Sequence, residues 1–348
     1  QGRRIFNGFH LKCAQNTQAS FKALTNASTL FALMTSWGST GEPWSDISIE
    51  NCAFDLNGAA ANFAGMIAMT GTLYPIAHVT VADNHFYDST QPGEMYESYG
   101  LQRQYISVVN AEDVLISNNR LSEGGRIKAG RPGKRMVIRD NRLVNINDNG
   151  ITISDQLGNN SEFILIERNT ILHPIGAGVF FGSDGQSTGT ADMRLADLTI
   201  RNNTIVGKFK TGCMVGTLPN HAERIVIEDN TCTKTTPLTA GQYTGGLTII
   251  RNNTSTLPAI DITIRNNVVT SYESQAYMNL ASIYIGSNMT NICLLSNLLL
   301  NQTQPIRLSN DIVGDMFENL LDGGTIRYGT GDVIDTSGNT ANCYTSPF

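Results

Sequence analysis

Charge is sparse in this sequence: Asp, Glu, Lys and Arg make up 16% of its 348 residues, and the formal net charge is -6. A chain that binds nucleic acid through phosphates needs a dominant basic surface, so no nucleic-acid partner is expected. No run of about 18 apolar residues exists, which excludes a membrane-spanning helix, and the first residues lack the basic-then-apolar order of an export signal. Proline is sparse, with 10 residues against 33 glycines, a balance that fits many tight turns rather than collagen or a low-complexity linker. The six cysteines, Cys13, Cys52, Cys213, Cys232, Cys293 and Cys343, show no CxxC spacing, which removes the strongest zinc and redox readings. Reduced cysteines packed as small core residues are the expectation, with a Cys13–Cys52 disulfide as the minor option. No metal site or cofactor is implied; the turn carboxylates are compatible with calcium, but no recognisable loop demands it.

What the sequence does have is a repeat. Its phrase is apolar, any, apolar, two mostly polar residues, Asn, any, apolar. It runs from Val79 to Phe86 around Asn84, and recurs around Asn119, Asn141, Asn169, Asn203, Asn230, Asn267 and Asn297. Ile47 to Phe54 is the same phrase with Cys52 in the Asn place. Alternation rich in Ile, Val, Leu and Thr predicts a strand with one buried face. The Asn tolerates left-handed backbone, and its amide can bond the next Asn above, which predicts an internal ladder.

A second short strand follows in most coils: Gly125 to Ala129, Gly150 to Ser154, Gly178 to Gly182, Gly212 to Gly216, Ser282 to Gly286 and Pro305 to Ser309. Leu247 to Asn253 reads as another, imitating the first phrase. The elements predict an all-β solenoid, a parallel β-helix over residues 1–310 with its coils one strand spacing apart. Residues 311–348 lose the phrase and are expected to form a C-terminal capping segment. Before Ile5 almost nothing remains, so the other end is expected to lack a cap or to be covered by a partner chain.

On these residues the chain resembles the right-handed parallel β-helix, pectate-lyase-like superfamily, and within it bacteriophage tailspike and capsule-depolymerase domains. That resemblance implies an extended polysaccharide as partner, a homotrimer, and an extracellular or virion location. The superfamily holds lyases, glycoside hydrolases and plain adhesins, so it fixes no chemistry. Arg126-Ile127-Lys128 copies a tripeptide of polygalacturonase sugar sites, but here it precedes most candidate acids and no Gly-His-Gly exists. No catalytic residue is carried over from that family. The sequons at Asn202 and Asn253 fall in or beside the expected ladder turns, where sugars would disrupt packing, which fits a bacterial or viral origin.

In a stacked rod, outward residues at the same place in successive coils form columns. Aligning the second strands puts Lys128, Thr152, Phe180 and Met214 in one outward column. Glu123, Asn147 and Asp148 stand before it, and Arg131, Asp155 and Asp184 after it. Glycoside hydrolysis needs two carboxylates; acids on adjacent coils would stand about 5 Å apart, the retaining spacing, while two coils or a diagonal offset gives about 7–10 Å and suits inversion. The candidate catalytic pairs are Glu123 with Asp148 and Asp155 with Asp184. A lyase needs a cation to neutralise a uronate, and Arg126, Lys128, Arg131, Lys134, Arg135, Arg139 and Arg142 supply a cluster. Arg126, Lys128, Arg131, His173 and Phe180 are the candidate substrate-binding residues. Trp37, Trp44, Tyr96, Tyr99 and Tyr284 are further stacking candidates, and inserts at 87–104 and 184–196 are candidate groove walls. The expected function is a polysaccharide depolymerase, hydrolase or lyase; the alternative is a non-catalytic glycan-binding adhesin.

Overall fold

The computed structural model describes residues 7–12, 20–22, 29–34, 45–55, 65–70, 75–89, 104–155, 160–183, 194–209, 211–235, 246–251, 257–270, 281–300, 305–322, 326–337 and 343–348. A full coil contributes three strands, within the two or more that the repeat implies. In one coil these are Asn160–Glu167, Thr170–Leu172 and Ala177–Ser183, paired in parallel with Arg194–Arg201, Thr204–Gly207 and Gly212–Leu218 of the next. We call the three columns of strands the lateral, corner and facing columns. Lateral and facing strands belong to one 20-stranded sheet, and the corner strands form an 11-stranded one. Gln104–Ser117 and Arg126–Arg139 each run through both the facing and lateral columns, which joins them. The last apolar residue of the sequence phrase belongs to the corner strand, so one phrase spans two strands and a bend.

Inward residues stack by register. Along the facing column Ile127, Ile151, Val179, Met214, Leu247, Ile283 and Ile306 lie one above another, and all are buried. Burial of each such side chain contributes about 2 kcal/mol. Met214 therefore points into the core, a correction to its expected outward place: Val215 is the residue in register with Phe180. The glycines around Met214 hide which parity faces inward, because they carry no side chain to mark it. Leu247–Arg251 pairs within the facing column, as its reading as a second strand requires; Asn253 lies outside the described residues.

The expected ladder is present. Asn84, Asn119, Asn141, Asn169, Asn203, Asn230, Asn267 and Asn297 each donate Nδ2–H to Oδ1 of the next Asn at 2.9–3.1 Å, ending on Asn319. Each Oδ1 also accepts the preceding rung's backbone N–H, as in Asn141 N to Asn169 Oδ1 at 3.0 Å. Cys52 fills the Asn place by giving its backbone N–H to Asn84. The left-handed residue is the one before each Asn, for example Asp140 (φ 57°) and Asn202 (φ 53°), rather than the ladder Asn itself. That turn lets the Asn side chain point along the axis while the next backbone segment departs into the corner strand.

Coils vary in length, with ladder separations from 22 to 37 residues, because loops between strands absorb the difference. The coil pattern runs past residue 310: Ile312–Phe317 pairs with Met289–Leu295, Leu320–Leu321 extends the corner column, and Val333–Asp335 pairs beyond. The cysteines among the described residues are oxidised, a correction to the reduced expectation. Cys213 bonds Cys232 and Cys293 bonds Cys343, with Cα atoms 6.1 and 5.4 Å apart, and Cys52 is also disulfide-bonded. Stacking brings residues far apart in sequence to bridging distance, which linear spacing conceals. Cys13 lies outside the described residues.

Candidate functional site

The facing column presents a continuous outward row. Ser107, Lys128, Thr152, Phe180, Val215 and Thr248 are in register, and Tyr284 and Arg307 continue it. Adjacent coils are about 4.8 Å apart, so the row is a ruler with one side chain per step along the rod. Phe180 and Tyr284 are half-buried, and the Arg307 guanidinium lies 5.4 Å from the Tyr284 ring centroid. Lys128 is 9% and Thr152 4% exposed although both point away from the core. The hydroxyls of Thr152 and Thr248 are buried and make no hydrogen bond. Such unpaired polar groups are rare and cost free energy, so they mark places where a water or ligand hydroxyl is expected.

Arg126 and Asp148, expected in separate roles, are paired with each other. Arg126 is 5% exposed and Asp148 6%. Their bond joins adjacent coils at the entrance to the facing column, where Asn147 N–H donates to Gly124 O. Of the expected Glu123–Asp148 pair, Asp148 is thus held by a buried guanidinium. Beside them the Asn147 amide is buried with neither polar atom bonded.

Glu123 and His173 occupy the bend between corner and facing columns. They follow Ser122 and Leu172, with Asn145 following Val144 on the coil between, and these precursors are in register. All three bend residues are left-handed, with φ of 57°, 55° and 55°. His173 N–H donates to Val206 O at 2.7 Å. Glu123 and His173 therefore stand two coils, about 10 Å, apart on one side of the row. Tyr105 OH lies 2.8 and 2.7 Å from the carbonyl oxygens of Ser122 and Glu123, which share its one proton, and this holds the bend from inside.

Asp155 ends the strand Ile151–Asp155 in backbone register with Ser183. Asp184, Trp37, Trp44, Tyr96 and Tyr99 lie outside the described residues, as do most of the two inserts, and Arg131 is described only as part of a strand. Three members of the cation cluster are in ion pairs: Lys134 with Glu162, Arg135 with Asp113 and Glu112, and Arg126 with Asp148. Sequence reasoning missed Thr248 and Arg307 as members of the row, although each is the outward residue of an apolar-polar-apolar strand. Among the described residues no group of three or more His, Cys, Asp or Glu could hold a metal ion. No helix there is long and apolar enough to cross a membrane.

Stacked parallel coils, a buried Asn ladder and an outward row define a parallel β-helix. The chain belongs to the right-handed β-helix family, whose model matches residues 34–216, more than half of its length. It is similar to the solved structure of the Streptococcus pneumoniae surface protein and adhesin PfbA, with a TM-score of 0.57 and 16% identity over 90% of this chain and 81% of that one. A second structure of that adhesin gives 0.56 and 16%, over 90% and 76%. A mutant tailspike protein of the E. coli bacteriophage HK620, solved with a pentasaccharide, gives 0.44 and 12%, over 85% and 63%. No curated protein matches the sequence.

Proposed function

We propose that the protein binds an extended bacterial surface or matrix polysaccharide along the outward row of the facing column. The observation carrying this reading is Lys128, Thr152 and Phe180 on three consecutive coils. An ammonium, a buried hydroxyl without a partner and an aromatic ring are the groups that recognise a sugar's oxygens and its apolar face. A linear glycan laid along the axis would meet one such group about every 5 Å. Extracellular or virion placement fits the disulfides, which persist in oxidising surroundings.

Cleavage of that glycan, by hydrolysis or β-elimination, is the finer reading. Asp155 supports it, as a candidate acid that ends a strand of this column in backbone register with Ser183 of the next coil. The second reading, a non-catalytic adhesin, is supported by the Arg126–Asp148 pair, which engages one candidate carboxylate in an ion pair. Incubating the protein with capsule, O-antigen and uronate polymers, while following retention, chain length and double-bond absorbance, separates the outcomes. Binding with shortening supports a depolymerase, and a new absorbance assigns elimination. Retention without product supports the adhesin. No retention on any of these polymers overturns the glycan reading.

A further inference from the structure

The lateral column sets opposite charges in register. Arg139, Glu167, Arg201, Glu228 and Arg265 stand one above another on its outer face, and the sign changes at every coil. Arg201 pairs with Glu167 at 2.9 Å, and Arg265 pairs with Glu228. The corner column departs from that arrangement. His85, Arg120 and Arg142 are in register on three consecutive coils with no acid between them. Each precedes a fully buried residue, Phe86, Leu121 and Leu143 respectively, so the three side chains share the outer face. Arg120 and Arg142 are exposed, and among the described residues neither makes an ion pair. The row is bounded by Ala53 below and Thr170 above, which confines the charge to three coils. Like charges directly opposite on neighbouring strands destabilise a sheet. Choices that cost stability without a packing gain mark functional places in a fold.

A second outward row lies beside these cations, two residues further along each corner strand. Ser122, Val144 and Leu172 are in register there, and Tyr87 holds the same place after His85. Tyr87, Val144 and Leu172 are half-buried, and the Tyr87 and His85 rings lie 4.8 Å apart between centroids. The face therefore has a cationic edge and, parallel to it, an aromatic and aliphatic edge. Burial first, and the Arg120 charge second, hold His85 below its ordinary 6.5, partly opposed by Glu123. The two arginines stay charged throughout the physiological range.

We propose that this corner face is a second binding surface, separate from the facing row, which takes the anionic groups of an acidic polysaccharide lying along the rod. Arg120 and Arg142 each offer a planar fork to one carboxylate, sulfate ester or phosphate ester. Tyr87, Val144 and Leu172 meet the apolar faces of the sugars that carry those groups. The arginines stand about 4.8 Å apart, a step comparable with one sugar of an extended chain. A polymer charged at every sugar thus meets them in turn. Three basic side chains on a protein of net charge -6 are too few for a nucleic acid, whose hold grows with each phosphate neutralised.

The test uses the full chain carrying Phe180→Ala and Lys128→Met, which weaken the facing row, so that the remaining retention reports the corner face. The probes in affinity electrophoresis are polygalacturonate, dextran sulfate, fully methyl-esterified polygalacturonate and poly-glutamate. Polygalacturonate or dextran sulfate is expected to retard this protein, and comparing them identifies the preferred anionic group. Adding Arg120→Gln with Arg142→Gln is expected to weaken retention tenfold or more, with thermal melting unchanged or raised as the like-charge repulsion is relieved. Arg120→Lys with Arg142→Lys keeps the charge and loses the fork, and is expected to weaken it about threefold. Absence of retention on both acidic polysaccharides overturns the proposal, and so does retention unaffected by the Gln pair. Equal retention on the methyl ester or on poly-glutamate also overturns it, because the surface then reads no acidic sugar. Retention lost with the Gln pair but equal in wild type and the facing-row variant counts against the facing row alone and leaves this surface standing.

Discussion

Asn169 donates an amide hydrogen to Asn203 at 3.0 Å while its own Oδ1 accepts both the backbone and side-chain N–H of Asn141, all out of contact with water. Its Nδ2 also reaches the Ile138 and Glu167 carbonyls. Truncation to alanine strands donors and acceptors that water cannot reach, each costing about 1–3 kcal/mol. Asn169→Ala is expected to destabilise the rod by about 2–4 kcal/mol in urea unfolding. A loss under about 0.5 kcal/mol is inconsistent with the ladder as a stabilising chain.

For the Arg126–Asp148 pair, removing one partner takes a charge-assisted bond out of a dry site. Asp148→Asn is expected to cost about 3–5 kcal/mol, and Arg126→Met with Asp148→Leu to recover most of it. A reacting carboxylate behaves differently: Asp148→Asn would then abolish glycan shortening with the melting temperature unmoved. Measuring both quantities on both variants decides the role.

Lys234 is fully buried, donates to Phe209 O at 3.0 Å, and is pushed by burial to about 8 from its ordinary 10.5. Between those values the unfolded chain holds a proton that the folded chain has released, so this group makes stability rise with pH from about 8 to 10.5. Below 8 the folded protein carries the buried ammonium at full cost. Lys234→Met is expected to lose that rise, so the wild-type melting temperature should gain on the variant's from pH 8 to 10. Parallel curves across that range refute the assignment.

Along the facing column, Phe180→Ala and Lys128→Met are each expected to weaken glycan retention by about five- to tenfold, a loss of about 1 kcal/mol or more. Thr152→Val keeps the shape and removes the unpaired hydroxyl. It is expected to stabilise the fold while weakening retention, and affinity electrophoresis beside thermal melting reads both.

The coil pattern was legible because burial on one face leaves a period of two, and because Asn119, Asn141 and Asn169 recur where an axial amide is needed. The corner strands were not, since the few residues after each Asn, such as Thr170–Leu172, are too short to show alternation. Met214 was misplaced because Gly212 and Gly216 carry no side chain to mark parity. The row at Lys128, Thr152 and Phe180 could be read because strong inward neighbours such as Ile127 and Ile151 flank it. The Arg126–Asp148 bond depends on which coils adjoin. No local pattern encodes that Tyr344 returns beside Asp197, 147 residues earlier.

The ladder amides all point the same way, each N–H toward the oxygen of the following rung. Eight such links in series add their dipoles head to tail and polarise one another. The rod thus has an electrical direction as well as a chain direction, with uncancelled partial charge at the two ends of the ladder, Asn84 and Asn319.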